Sequence, residues 1–126
     1  MLQLLLRAVL GLAVVLAFVF SARAAQPFDA KAFQAAQAAR KTILIGVSAS
    51  WCSTCKRQRP ILQNAEKERP GLVVFDVDFD SAKDVLRRFG VRHPSTLVVF
   101  NGTTEVGRST GDTDPVSIRA LIAKGF

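Results

Sequence analysis

The chain carries two cysteines and one histidine in 126 residues. Cys52 and Cys55 stand in the stretch Ser48-Ala49-Ser50-Trp51-Cys52-Ser53-Thr54-Cys55, one helical turn apart. Sulfurs at that spacing can staple the chain, share a metal ion, or act as reagents. As a staple the pair would do little, because a bridge over so short a loop removes little entropy from the unfolded chain. A structural zinc site needs four ligands, and the two cysteines with His93 supply fewer. Covalent haem attachment needs histidine directly after the second cysteine, where this chain has Lys56. Copper(I), which soft thiolates select, remains an alternative use of the same pair.

Thiol chemistry fits the surroundings better. If a helix begins at Cys52, unpaired backbone amides and the positive end of the helix dipole converge on its sulfur. Lys56 and Arg57 add positive field. Both effects favour the thiolate, the nucleophile of disulfide exchange. Cys52 is then the attacking sulfur. Cys55, one turn further in and less exposed, is placed to resolve the mixed disulfide and close the Cys52–Cys55 bond.

The elements that must position this pair can be read from patterning. Thr42 to Ser48, TILIGVS, is a continuous β-branched and apolar run of strand length, the pattern of a strand covered on both faces. Gly46 inside it marks close approach by another group. The helix from Cys52 to about Glu68 contains Pro60, which predicts a kink near Arg57 to Arg59, and Pro70-Gly71 stops it. Asp29 can cap an earlier helix over Ala30 to Arg40. Leu72 to Val77 reads as a second buried strand, and Ser81 to Phe89 as a helix closed by Gly90. Thr96 to Phe100 and Thr103 to Arg108 form a hairpin around Asn101-Gly102, and Asp114-Pro115 opens a final helix. Strands joined through helices lie parallel, and the hairpin adds antiparallel partners. The expected class is α/β, with a central mixed sheet of four to five strands and helices on both faces.

Size and composition allow one domain. About half of the residues are apolar and the formal net charge is +7. Residues 1–24 hold Arg7, an unbroken apolar run from Ala8 to Phe20, and then small residues around Ala22, Ala24 and Ala25. This is the layout of a secretory signal cleaved after Ala24 or Ala25; an uncleaved membrane anchor over residues 2–22 is the other reading. Either one exports the domain at 25–126, with the periplasm as the expected compartment. Export also places the cysteines where disulfides form and persist. Without Arg7 and Arg23 the balance falls to +5. The bases are scattered, with no aromatic platform among them, so they describe a solvated basic face and not a nucleic-acid surface.

Several features in register make the chain from Phe28 to Phe126 resemble the thioredoxin-like family. They are ILIGVSAS before WCSTC, Pro60 five residues after the second cysteine, the strand VVFDVDFD, the stretch RRFGVRHPSTLVVFNG, and Gly111 before the last helix. The resemblance implies a fold with the cysteine pair at the tip of the first central strand, and dithiol-disulfide exchange with other proteins. It makes Cys52 the nucleophile, Cys55 the resolving thiol, and Trp51 the ring beside the loop of Ser53 and Thr54. No cofactor is expected beyond a redox-active Cys52–Cys55 disulfide, and no metal. The implied partners are protein disulfides and a membrane thiol-electron donor or acceptor; the expected state is a monomer.

Three departures from the family pattern bear on the site. Where members place a cis-proline before the Thr-Leu of the fourth strand, this chain has Ser95, with Pro94 one residue earlier. Either the loop slips by one residue and sets Pro94 against the disulfide, or serine stands there. A cis His93–Pro94 bond would cost little. His93 is then either a proton-handling neighbour of the thiols or an exposed loop residue. The buried aspartate that members hold under the second cysteine is matched by Gly46, and its usual lysine partner by Asp76. Asp76 or water is left to take the Cys55 proton, unless Asp76, Asp78 and Asp80 simply end a strand. The family's first edge strand should be short or missing. Ser53-Thr54 places no cation between the cysteines, so extreme thiolate stabilisation is not indicated and the expected direction is disulfide reduction.

Overall fold

The computed structural model describes residues 25–126. In chain order the elements are β1 (Gln26–Pro27), α1 (Ala30–Ala38), β2 (Thr42–Ser48), α2 (Ser53–Glu68), β3 (Leu72–Asp78), α3 (Lys83–Phe89), β4 (Thr96–Asn101), β5 (Thr104–Thr110) and α4 (Pro115–Ala123). The signal or anchor expected at residues 1–24 lies outside the described residues. Among the described residues no helix is long and apolar enough to cross a membrane.

The sheet order is β1-β3-β2-β4-β5. β3 runs parallel to β1 and β2, whereas β4 is antiparallel to both β2 and β5. The mixed α/β sheet expected from the pattern is therefore present. The expected edge strand is short, two residues long, at Gln26–Pro27.

β2 sits in the middle because its side chains are apolar in both directions. Ile43, Ile45 and Val47 pack with Phe33 of α1, Phe75 and Val77 of β3, and Leu86 of α3. Leu44 points the other way, into a core with Ala65 of α2 and Ile118, Leu121 and Ile122 of α4. Burying each such side chain stabilises the fold by about 1.5–3 kcal/mol. The first core is rich in phenylalanine. Phe28, Phe33, Phe75, Phe89 and Phe100 meet at centroid distances of 5.4–6.1 Å, mostly edge to face. Such aromatic pairs and a cation over a ring face each add to the burial. The Arg88 guanidinium closes the cluster in this way, 5.3 Å from the Phe33 ring centroid.

At three places a side-chain hydrogen bond moves an element boundary from the sequence reading. α2 begins at Ser53, with Cys52 as its N-cap, and is continuous through Pro60. α3 begins at Lys83 and not at Ser81. The Asp78 carboxylate accepts the Ser81 hydroxyl at 2.7 Å and the Asp80 amide at 3.2 Å. Those two bonds hold the residues in a turn, as aspartate side chains commonly do. The hairpin turn falls at Gly102-Thr103, with Asn101 paired to Thr104. Asn101 stays in β4, its side-chain amide donating to the Gly125 carbonyl at 2.9 Å. Gly102 supplies the turn's positive φ of 56°, which glycine adopts at no steric cost.

The described residues fill the α2 face of the sheet incompletely. A cleft of about 590 Å³ opens between α2 and strands β2 and β3, with Leu62, Val74 and Leu97 as apolar walls and Cys55 in its lining. The close approach expected at Gly46 does not occur: a Cβ there would meet nothing closer than Leu62 Cδ1 at 3.8 Å, an ordinary contact, because the cleft lies beside it. Glu66 also lines the cleft, with Oε2 buried and without a hydrogen-bond partner among the described residues. Burial pushes its carboxyl above the usual range, partly opposed by a backbone hydrogen bond from Ala25. The folded protein thus binds this proton more tightly than the unfolded chain does. The group's contribution to stability is present below the ordinary carboxylate range and lost as pH rises through the folded value. Glu66→Gln is neutral at every pH, so calorimetry should show a melting temperature about 1–3 °C above that of the parent at pH 7 and no difference near pH 3. An equal or lower melting temperature at pH 7 would contradict a desolvated carboxylate.

Candidate active site

Cys52 leaves β2 through the turn Ala49-Ser50-Trp51 and becomes the residue that caps α2. Its backbone is extended, φ −86° and ψ 105°, and its amide donates to the Ala49 carbonyl at 3.1 Å. Its Sγ accepts the Cys55 amide at 3.1 Å. An N-cap side chain usually satisfies such a donor with oxygen; here sulfur does so. No acidic residue lies in the first turn of α2, so no carboxylate of that turn offsets the positive helix end. Cys52 and Cys55 form a disulfide with Cα atoms 5.3 Å apart, and they are 7% and 4% exposed. Ser53 between them is exposed and Thr54 half-buried.

The carbonyl of Val47, at the end of β2, links the second sulfur to the opposing loop. Cys55 Sγ lies 3.8 Å from this oxygen, which also accepts the Ser95 amide at 2.8 Å. Serine, not Pro94, therefore bonds the carbonyl that Cys55 Sγ faces: Ser95 is buried and Pro94 only half-buried. All peptide bonds among the described residues are trans, that of His93–Pro94 included. Ser95 adopts a φ of 59°. This left-handed conformation costs a residue with a Cβ about 1 kcal/mol or somewhat more. Three hydrogen bonds hold it there. Besides the bond to Val47, its carbonyl accepts Gly111 N at 3.1 Å and Gln58 Nε2 at 3.1 Å.

Trp51 is 61% exposed, and its ring is fixed from one side. The indole N–H donates to both oxygens of Asp80, at 3.0 and 3.2 Å, and the ring meets Phe79 edge-on at 6.2 Å. Phe79 in turn packs against Ala49, Cys52 and Cys55. The turn that presents Asp80 is built on Asp78, whose carboxyl is held below the usual range by the Ser81 hydroxyl and then by the Asp80 amide. Asp80 thus does more than end a strand.

The remaining expected neighbours separate. Asp76 is paired in register with Gly46 and shares the cleft with Cys55, but it is exposed, and its Oδ1 accepts the Ser48 hydroxyl at 2.9 Å. A carboxylate buried under the second cysteine is therefore absent from this position. Solvent reaches Asp76 because the chain places it at the rim of the cleft. His93 is exposed on the loop, and its backbone carbonyl accepts the Thr96 hydroxyl at 2.8 Å. No group of three or more metal-ligating side chains occurs among the described residues.

The roles of Gln58 and Asp80 escaped the sequence reading. That of Gln58 was accessible to it: Cys55, Gln58, Leu62 and Ala65 share one stripe of α2. A polar residue on that stripe had to be buried with its hydrogen bonds met. Asp80 gave no local signal, since its partner lies 29 residues away.

Comparison with known proteins agrees with this geometry. The family model described as Thioredoxin matches residues 24–124. A thioredoxin of Chlamydia muridarum is 34% identical over 82 residues, 65% of this chain and 80% of the relative. A thioredoxin of Echinococcus granulosus is 32% identical over 94 residues, 75% of this chain and 87% of the relative. The crystal structure of Trxlp from Edwardsiella tarda superposes with a TM-score of 0.74 at 36% identity, covering 79% of this chain and 98% of that one. With the disulfide pair Cys52–Cys55 at the start of α2, the chain belongs to the thioredoxin family, and its chemistry is thiol-disulfide exchange.

Proposed function

We propose that this protein is an exported reductase of protein disulfides, with Cys52 as nucleophile and Cys55 as resolving thiol. The observation that carries this is the Cys55 amide directed at Cys52 Sγ on the first turn of α2. In the reduced protein this donor and the helix end stabilise a Cys52 thiolate. The thiolate attacks one sulfur of a substrate disulfide. That S–S bond breaks, a Cys52–substrate bond forms, and the second substrate sulfur leaves as thiolate. Cys55 then loses its proton to water in the cleft that it lines with Ser48 and Asp76, and attacks Cys52 Sγ. The first substrate sulfur leaves and the Cys52–Cys55 bond closes. The substrate has gained two electrons and the protein has lost them.

Direction follows from how strongly the thiolate is stabilised, since a very stable thiolate makes the disulfide a strong oxidant. Ser53 and Thr54 bring neither a cation nor histidine between the sulfurs, and His93 is solvent-exposed, which supports reduction. Regeneration then needs two electrons from a dithiol donor. For an exported domain the fitting donor is a membrane thiol carrier. Export itself rests on the charged, apolar and small-residue order of residues 1–25.

Purified domain should reduce insulin in the presence of dithiothreitol. Cys52→Ser should retain less than about 1% of that turnover, and reduced Cys55→Ala, mixed with insulin after removal of dithiothreitol, should accumulate a mixed disulfide stable to gel electrophoresis without reductant. Absence of wild-type turnover together with stoichiometric copper(I) uptake would replace this function with copper carriage by the same dithiol. In cells, N-terminal sequencing of the periplasmic protein should begin at Ala25 or Gln26. An intact Met1 in the membrane fraction would identify an anchor, and recovery from the cytosol alone would contradict export.

A further inference from the structure

Gln58 is a polar side chain with 3% exposure on the buried stripe of α2, one turn beyond Cys55. Its Nε2 has two donors, and both are used, one to the Ser95 carbonyl at 3.1 Å and one to the Asp112 carbonyl at 2.8 Å. These acceptors belong to separate loops, 37 and 54 residues along the chain. The first loop touches the disulfide through Val47, whose oxygen contacts both Ser95 N and Cys55 Sγ. The second precedes α4 and is stiffened by its own side chains, with Asp112 accepting the Asp114 amide at 2.9 Å and the Ser117 hydroxyl. A third link, Gly111 N to Ser95 O, joins the loops to each other.

From this closed circuit we propose that Gln58 is a positioning residue for substrate: it locks the Ser95 and Asp112 loops to the helix that carries Cys55, so that a protein disulfide meets a preformed surface. The proposal rests on the exchange function above. Ser95 is in a left-handed conformation that its side chain does not favour, so the loop relaxes when its restraints are cut. Without Gln58 the substrate must order both loops as it binds. That penalty falls on binding and not on the sulfur chemistry, so it appears in KM.

The test compares wild type, Gln58→Met and Gln58→Glu in insulin reduction from pH 5.5 to 8.5. Methionine keeps length and removes both donors. Its KM should rise about five- to tenfold with kcat within about twofold of wild type. Glutamate turns a donor into a carboxylate facing two carbonyls, so its KM relative to wild type should be highest at pH 8.5. The ratio should fall as pH decreases and the acid form regains one donor. Amide exchange at Ser95 and Gly111, read by NMR, should quicken more than tenfold in both variants while that of Val98 in the sheet does not change. KM within twofold of wild type in both variants at every pH would overturn the inference, even with a lowered melting temperature, and so would a fall in kcat at constant KM. Wild-type turnover is read in the same series, so failure of the exchange function shows there, and failure of the Gln58 role shows in the variant-to-parent ratios. If Gln58→Met does not fold, the pH dependence of Gln58→Glu decides alone.

Discussion

One hydrogen bond organises this molecule: the amide of Cys55 pointing at the sulfur of Cys52 across the first turn of α2. A helix leaves its first amides without intrahelical acceptors, and most proteins fill that position with a hydroxyl or carboxylate. Filling it with sulfur gives the cap a chemical use, since the group that satisfies the helix end is the one that gains or loses an electron pair. The same bond separates two cysteines of identical intrinsic chemistry. Cys52 receives the donor; Cys55 supplies it from its own backbone and turns its sulfur toward the Val47 carbonyl, an environment that does not favour negative charge.

The rest of the fold holds that turn still. β2 is covered on both faces, and at its end it delivers Val47 to Cys55 and Ser95 and, just beyond it, Cys52 to the helix. Phe79 underlies the disulfide and steadies Trp51, whose indole is tied to Asp80. Beside Cys55 the described residues leave a cleft. The cleft at Gly46 and the exposed Asp76 show that a buried carboxylate beneath the second cysteine is dispensable for building the turn. Water can enter where that group would sit.

Much of this was legible in the sequence, for reasons that differ by element. β2 and β3 were readable because strands buried on both faces show as unbroken apolar runs. The cysteine pair was readable because Lys56 excluded haem attachment and the ligand count excluded structural zinc, leaving thiol exchange with copper(I) as its one rival. Boundaries controlled by one side chain were not readable: α3 starts two residues late because Asp78 captures Ser81, and the hairpin turn moves by one because Asn101 reaches Gly125. The choice between Pro94 and Ser95 was undecidable locally, since it depends on how the loop meets Val47, whose carbonyl accepts the Ser95 amide across the sheet. Gln58 was hidden by its type, a residue usually read as solvent-facing, although its position on the Cys55 stripe marked it as buried.

The most direct test of the sulfur-capped helix is the pH dependence of alkylation of each cysteine in the reduced protein, followed by mass spectrometry of the modified peptides. Selective stabilisation of one thiolate requires Cys52 to be carboxymethylated at pH 7 at least about tenfold faster than Cys55 and faster than a free cysteine, whose pKa is about 8.5. Equal rates for the two sulfurs, both rising only in alkali, would contradict it.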